Sequence, residues 1–170
     1  VSNTPFRGFK HDAYEGGIAT PFVVRWPAAV GAERAGGLVH DPSHLIDLMP
    51  TLLDAAGTTY PARFCDTDIQ PMEGVSLLPA LRGEGLVRSA PLGFEHHGNL
   101  ALRDGRWKIV SSYSKGAPVR WELYDMQLDR TETNDLARVM PERLARMAAI
   151  WGAWAERVGV QAWPFESRPR

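Results

Sequence analysis

The sequence predicts an α+β layer at the carboxy-terminal end of the chain, a small antiparallel sheet covered by one long helix. Four short apolar segments separated by turn residues occupy residues 92–124. A stretch with apolar side chains at helical spacing follows at residues 141–158. Strands followed by a covering helix form such a layer because each needs a second apolar face to bury its own. Most of the six tryptophans are expected to anchor this core.

The four strand candidates are separated by tight-turn signals, and the helix has recognisable ends. Asp104-Gly105 between two strands favours a hairpin, because glycine tolerates the positive φ that such turns require. Pro141 suits the first position of the helix, and Gly159 ends it. The predicted strands are Leu92–His96, Leu100–Arg103, Arg106–Tyr113 and Trp121–Tyr124.

The amino-terminal half has weaker patterns. Residues 1–20 and 57–75 are predicted loops, and the β-branched run Phe22–Trp26 is predicted as a buried strand ended by Pro27. Residues 42–56 are predicted as a helix with Asp41 as its cap and Gly57 as its stop, and with a kink or a junction of two pieces at Pro50. Its predicted buried face consists of Leu45, Leu48, Met49, Leu52 and Leu53. A short helix is predicted from Ser76 to Leu81.

Composition excludes several classes of function. The 170 residues carry a net charge of −1 and their basic residues are dispersed, which gives a nucleic-acid partner no electrostatic support. The single cysteine, Cys65, allows neither an internal disulfide nor a cysteine-based zinc site. No apolar run approaches the roughly 20 residues of a membrane span.

Taken residue by residue, the chain offers few candidates for chemistry. Lys10 precedes the turn Tyr14-Glu15-Gly16-Gly17, where adjacent glycines allow a close backbone approach. A lysine held by such a turn could present an ammonium to an anion, although a solvated surface lysine is the simpler interpretation of this residue alone. Cys65 is flanked by Asp66 and Asp68, whose charges disfavour a reactive thiolate.

The remaining polar candidates are predicted to have local roles. No pair among the five histidines His11, His40, His44, His96 and His97 shows a metal-binding motif. His96 and His97 end a predicted strand, so only one of them can face a given cleft. Glu132 and Asp135 are predicted to bond nearby backbone amides at a turn.

The order of the motifs resembles the type I, formylglycine-dependent arylsulfatases along nearly the whole chain. The resemblance begins with Ser2-Asn3-Thr4-Pro5-Phe6-Arg7, Lys10 and residues 14–21. It continues through residues 22–27, 46–57, 73–79, 101–108 and 121–125 and the tryptophan-rich helix. In that family a hydrated formylglycine attacks the sulfur of a sulfate ester, and a calcium ion held by carboxylate and amide oxygens positions the sulfate. The lysine six residues before the glycine pair neutralises sulfate oxygens and assists the leaving group.

The resemblance implies a role for particular residues of this sequence. Lys10 is the implied catalytic lysine, since a fixed ammonium in a dry cleft stabilises charge that develops as the S–O bond breaks. His96 is an expected substrate-binding residue, in a segment where the family varies its specificity. No metal ligand is expected in this chain, because it lacks both the Cys/Ser-x-Pro/Ala-x-Arg motif of the formylglycine and an Asp-Asn-Gly loop. Calcium and formylglycine are therefore expected on parts of a longer parent.

The resemblance also implies an organisation. Residues 1–57 are expected to end an α/β catalytic domain of the alkaline-phosphatase-like sulfatase fold, residues 58–91 to form a linker with a short helix, and residues 92–170 to form the antiparallel-sheet subdomain. The chain is expected to be a carboxy-terminal fragment, inactive alone, of a sulfuric ester hydrolase that is periplasmic or secreted. Its expected partner is a sulfate ester, with sulfated carbohydrates among the candidates.

Two alternatives remain open at this point. Phosphonate monoester and phosphodiester hydrolases share the architecture and bind a similar tetrahedral anion, and Lys10 does not separate sulfate from phosphate. A carbohydrate-binding module without catalysis is the alternative from a different class.

Overall fold

The structure, a computed structural model, describes residues 3–164. The chain forms two compact units. The first combines Val1–Pro21 with Ala90–Arg170, and the second is Phe22–Ser89. The three-part division at residues 57 and 91 stays a prediction.

Among the described residues, the second half of the chain contains more regular secondary structure than the first. The helices are α1 (Glu15–Ile18), α2 (Leu48–Ala55), α3 (Leu78–Arg82) and α4 (Pro141–Val158). The strands are β1 (Arg63–Phe64), β2 (Thr67–Asp68), β3 (Leu92–His96), β4 (Asn99–Asp104), β5 (Trp107–Ser111) and β6 (Glu122–Asp125). Two 3₁₀ turns lie at Ala32–Arg34 and Leu45–Asp47.

The first unit contains a four-stranded antiparallel meander in the order β3-β4-β5-β6. His96 pairs with Asn99, and Asp104 pairs with Trp107, so two-residue turns join β3 to β4 and β4 to β5. The predicted strands are confirmed, and β3 has the predicted bounds. The others differ by one or two residues at their ends.

The sheet is buried on both faces, in agreement with the alternation of side chains along its strands. Leu102, Ile109 and Leu123 pack with Met147 of α4 on one face. On the other face Ala101, Val110 and Tyr124 pack with Ala13, Tyr14 and Met126. The predicted covering helix is therefore confirmed, and the turn that begins at Tyr14 covers the opposite face.

Helix α4 has the ends that the sequence predicts. Pro141 occupies its first turn, and Gly159 ends it with a φ of 73°, in the left-handed region that favours glycine. Its Trp151 Nε1 donates to the carbonyl oxygen of Phe94 on β3 at 3.2 Å. This bond joins the helix to the edge strand of the sheet.

Helix α2 of the second unit starts later than predicted. His44, and not Asp41, caps the preceding 3₁₀ turn: its backbone N–H donates to Asp47 Oδ2 at 2.7 Å, while its Nδ1 accepts from Ile46 N at 3.3 Å. The predicted kink or junction of two pieces lies at a different position, because the 3₁₀ turn meets α2 at Leu48 and Pro50 is the third residue of α2. The N–H groups of a first turn have no intrahelical acceptor, so a proline is tolerated there.

The predicted buried strand Phe22–Trp26 is wrong for the described chain. These residues have no regular secondary structure, and Val23 is 88% exposed. Leu45, Met49 and Leu52 of the predicted buried face are also exposed. A strand requires a hydrogen-bonding partner, and none of the described residues pairs with this segment.

The rest of the second unit is close to prediction. The short helix α3 ends at Gly83, whose φ is 88°. Within the predicted loop 57–75, β1 and β2 form a small hairpin whose turn carries Cys65. Cys65 is exposed. None of the helices among residues 3–164 is long and apolar enough to cross a membrane.

The close contact of β3 with α4 gives a first test. A Cβ at Gly93 would lie 2.3 Å from the indole of Trp154, whereas Gly152 on the exposed side of α4 has open space. Replacing Gly93 with alanine should therefore destabilise the fold by about 1–3 kcal/mol. Gly152→Ala should be neutral or stabilise it by up to about 1 kcal/mol, since alanine favours the helix.

Urea denaturation of both variants, followed by far-UV circular dichroism, measures the difference. Equal midpoints for Gly93→Ala and the wild type would show that Trp154 does not pack on this strand.

Candidate functional site

Lys10 lies at the tip of a tight turn formed by Phe9–Asp12. The N–H of Asp12 donates to the carbonyl oxygen of Phe9 at 2.7 Å, and Asp12 Oδ2 accepts from the N–H of Phe9 at 2.9 Å. Both bonds join the first and the fourth residue of the turn, so Lys10 and His11 occupy its two central positions. Both side chains are exposed. The turn therefore presents an ammonium and an imidazole to solvent on a closed backbone.

The turn rests on Gly16 and Gly17, as the sequence predicts for adjacent glycines. A Cβ at Gly17 would lie 2.0 Å from the carbonyl oxygen of Asp12, and one at Gly16 would lie 2.4 Å from that of Arg7. The N–H of Gly16 donates to the same Arg7 oxygen at 2.8 Å. Only residues without a side chain allow this approach, which holds the lysine turn against α1.

Helix α1 is in turn fixed to the sheet by a buried group of charges. Lys108 of β5 is completely buried, and its Nζ lies 3.1 Å from Glu15 Oε1 and 2.7 Å from Glu132 Oε1. Glu132 is also fully buried, and its Oε2 accepts from the N–H of Glu15 at 2.7 Å. Arg130 donates to Glu15 Oε2 at 3.1 Å. Two carboxylates and two cations thus balance each other.

The two carboxylates respond differently to this arrangement. Burial raises the pKa of Glu132, which the charge of Lys108 offsets only in part. Burial also acts to raise the pKa of Glu15, but the charges of Lys108 and Arg130 outweigh it and leave that pKa lowered. Glu15 is therefore the carboxylate that holds its charge firmly, and Glu132 is the one closer to accepting a proton.

A second set of polar contacts joins Arg7 to the end of the sheet. Arg7 Nη1 donates to the hydroxyl of Tyr124 at 2.9 Å, and its guanidinium lies 4.1 Å from the ring centre of Tyr14. The hydroxyls of Tyr14 and Tyr124 donate to Glu122 Oε2 at 2.6 and 2.7 Å. Burial and the bond to Glu122 raise the pKa of Tyr14 to about 12, so this phenol remains a donor.

The predicted substrate residue His96 lies beside the lysine turn. The ring centres of His11 and His96 are 5.7 Å apart, and those of His96 and His97 are 4.1 Å apart. His97 stacks on Trp163 at 4.4 Å. Asn99 Nδ2 donates to the carbonyl oxygens of both His11 and His96, at 2.9 and 3.1 Å. The structure therefore brings Lys10, His11 and His96 to one surface.

The other sequence candidates lie elsewhere. His40, His44 and Cys65 belong to the second unit. Asp135 has the predicted turn role, accepting from the N–H groups of Leu123 and Ala137. For Glu132 a turn role is wrong, because its carboxylate lies in the buried charge group. Glu132 has a φ of 56°, which sequence spacing does not reveal.

Lys108 was missed by sequence reasoning, although a signal for it exists. On β5 it shares a face with Val110, and side chains two apart on a strand point the same way. Alternation therefore places a charge in the core, and such a charge requires a buried partner.

The described residues do not fit a calcium ion. Among residues 3–164, the group of three or more His, Cys, Asp or Glu side chains close enough to share an ion is His11, His96 and His97. Calcium prefers oxygen ligands, which this group does not offer.

Comparison with known proteins decides the family. The sulfatase family described as N-sulphoglucosamine sulphohydrolase, C-terminal, matches residues 9–147. The chain belongs to this family of sulfatase carboxy-terminal regions. The match includes Lys10, the charged group around Lys108 and the hairpin that carries His96.

Individual sulfatases agree with this assignment. An uncharacterised sulfatase of Schizosaccharomyces pombe is 27% identical over 96% of this chain and 30% of its own length. The steryl-sulfatase of Mus musculus is 35% identical over 67% of this chain and 17% of its own length. The crystal structure of Ps i-CgsB superposes with a TM-score of 0.73 at 23% identity, over 91% of this chain and 33% of that one. The sulfatase chain thus spans about a third or less of the length of these proteins.

Removing the buried ammonium gives a second test. Lys108→Met leaves two carboxylates facing each other without a cation, so the free energy of unfolding should fall by about 3–5 kcal/mol at neutral pH. The exposed Lys115 provides the matched control, and Lys115→Met should change stability by less than about 0.5 kcal/mol. Urea denaturation measures both. A loss as small as the control's would mean that the carboxylates do not depend on Lys108.

The same variant predicts a pH dependence with a definite sign. The pKa of Glu132 is already raised, and without Lys108 the folded state should bind protons more tightly than the unfolded chain. A carboxyl group whose pKa is higher in the folded state stabilises the fold fully at pH values below its unfolded-state pKa of about 4.3. That stabilisation is lost as the pH rises through the folded-state pKa. The free energy of unfolding of Lys108→Met should therefore lie closer to that of the wild type near pH 4 than at pH 7. A difference that grows in acid would contradict this.

Proposed function

We propose that this chain forms part of a sulfatase in which Lys10 binds and neutralises the sulfate group during hydrolysis of a sulfate ester. The observation that carries the proposal is the placement of an exposed ammonium at the tip of a closed turn. That turn rests on two glycines and, through Glu15, on a fully buried ion pair. These contacts hold the backbone of the turn in place and leave the ammonium of Lys10 exposed.

The chemistry fits a group that develops negative charge in the transition state. As the S–O bond breaks, charge accumulates on the leaving oxygen and on the non-bridging oxygens. An ammonium that is already oriented stabilises this charge without reorganising, and such groups contribute about 10²–10³ in rate. His96, which lies beside the same turn, is proposed to belong to the surface that binds the substrate.

The nucleophile and the metal of the proposed reaction belong to other parts of the parent enzyme. A formylglycine would supply the attacking oxygen, and a calcium ion would orient the sulfate. The residues of this chain bind and neutralise the anion. The parent is proposed to be secreted or periplasmic, where sulfate esters of large molecules are accessible.

The substrate is proposed to be a sulfate ester of an organic alcohol, with sulfated carbohydrates as the first class to test. The family description names an N-sulfated amino sugar, which supports a sulfated carbohydrate as the substrate class, although the sulfur of that sugar is bonded to nitrogen and not to an alcohol oxygen. The mouse relative is named for steryl sulfate, so a second alcohol class belongs in the same assay.

The lysine can be tested in the complete polypeptide that contains this chain. Lys10→Ala should lower kcat by about 10²–10³ for an aryl sulfate, since the transition-state charge loses its partner. Because Lys10 is exposed, the melting temperature of the Lys10→Ala variant should remain that of the wild type. Lys115→Ala, the matched control, should retain full activity.

Two outcomes would overturn the proposal. An unchanged kcat in Lys10→Ala would remove the lysine from the reaction. Faster hydrolysis of the matched aryl phosphonate than of the aryl sulfate by the wild type would assign the parent to phosphonate or phosphodiester hydrolysis.

A further inference from the structure

Three imidazoles lie together at the surface of the first unit, two at a hairpin and one at the lysine turn. One ring nitrogen from each of His11, His96 and His97 lies within 4.8 Å of the others. The rings are nearly parallel, with interplanar angles of 15–21°. The three side chains are exposed. Among the described residues, no hydrogen bond or ion pair in the structure occupies a nitrogen of these rings.

The backbone that carries the three rings is fixed. Asn99 donates to the carbonyl oxygens of His11 and His96 from a single side-chain nitrogen, and its Oδ1 accepts from the N–H of Tyr113 at 3.0 Å. Glu95 Oε1 accepts from the N–H of Gly98 at 2.9 Å, which closes the hairpin tip. The lysine turn and the β3–β4 hairpin are therefore joined next to the rings, and only the side-chain torsions remain free.

His97 occupies a position that favours other residues. It has a φ of 51° and is followed by Gly98 with a φ of 77°, the left-handed pair of a two-residue hairpin turn. Asparagine and glycine are preferred there, and a histidine carries strain of about 1 kcal/mol. The geometry of the turn therefore does not account for a histidine at this position.

We propose that His11, His96 and His97 form a binding site for a divalent first-row transition metal such as zinc. Imidazole nitrogens suit zinc, copper and nickel and are poor ligands for calcium. Three histidines leave a coordination position for water or an anion, which is the ligand count of open zinc sites. The site differs from the calcium of the proposed reaction in ligand type and lies within this chain.

The geometry requires a modest adjustment. Zinc–nitrogen bonds of about 2.0–2.1 Å in a tetrahedral arrangement place ligand nitrogens about 3.4 Å apart. The widest pair must therefore approach by about 1.4 Å from the present limit of 4.8 Å. Rotation of exposed side chains provides this movement, while the backbone bonds of Asn99 stay in place. Binding would then join the lysine turn to the hairpin through the metal.

Metal titration of the untagged complete polypeptide tests the proposal without any measurement of hydrolysis. Isothermal titration calorimetry with zinc, at saturating calcium, should show one zinc site per chain that is abolished or weakened about 100-fold when one ligand is removed. His97→Asn is the sharpest variant because asparagine suits the left-handed turn and should preserve the hairpin. His11→Gln and His96→Gln should weaken zinc to a similar extent.

His40→Gln, in the second unit, is the matched control and should retain wild-type affinity. Cobalt should report the same site through visible absorption that is lost in His97→Asn. No zinc uptake by the wild type, or equal affinity in His97→Asn and the wild type, overturns the proposal. Both outcomes are independent of the rate measured for Lys10→Ala, so failure of the metal site and failure of the proposed hydrolysis are distinguishable.

Discussion

The ion pairs of Lys108 are the interaction on which the first unit depends. A lysine with no exposed surface is stable only where its charge is matched, and Glu15 and Glu132 match it from two separate segments. Removing charges from water costs several kcal/mol per ion, so the pair adds little net stability over an apolar core. Its effect is on specificity, because a displaced partner would leave an uncompensated charge inside the protein. The three segments therefore adopt one arrangement.

That arrangement explains why the sheet and the lysine turn form one unit although 93 residues separate Glu15 from Lys108. Glu15 follows Tyr14, which covers one face of the sheet, and precedes the two glycines that support the turn. Any movement of Glu15 would move Lys10 with it. The antiparallel sheet thus provides a fixed base for the lysine turn, while helix α4 packs on the other face of the sheet.

Local patterns predicted the elements of this unit well, because each pattern is satisfied by its own neighbours. The hairpin at Gly105, the proline start of α4 and the glycine that ends it all depend on residues within a few positions. The charge group could not be predicted in the same way. Its members are far apart in sequence, and Glu132 has a positive φ that its neighbours in the sequence do not predict. The close approach at Gly17 was suggested by the glycine pair, whereas its contact with Asp12 depends on the fold.

The second unit shows the opposite relation between pattern and structure. The apolar run of residues 22–26 and the apolar stripe predicted along residues 45–53 indicate which side chains favour burial, but a pattern does not supply the surface that covers them. Val23, Leu45 and Leu52 remain exposed, and the strand does not form without a partner. Because pairing and burial are non-local, identical patterns give a strand beside a neighbouring strand and an irregular segment without one. The strands of the sheet and helix α4 are confirmed, and each of them has its partners within the first unit.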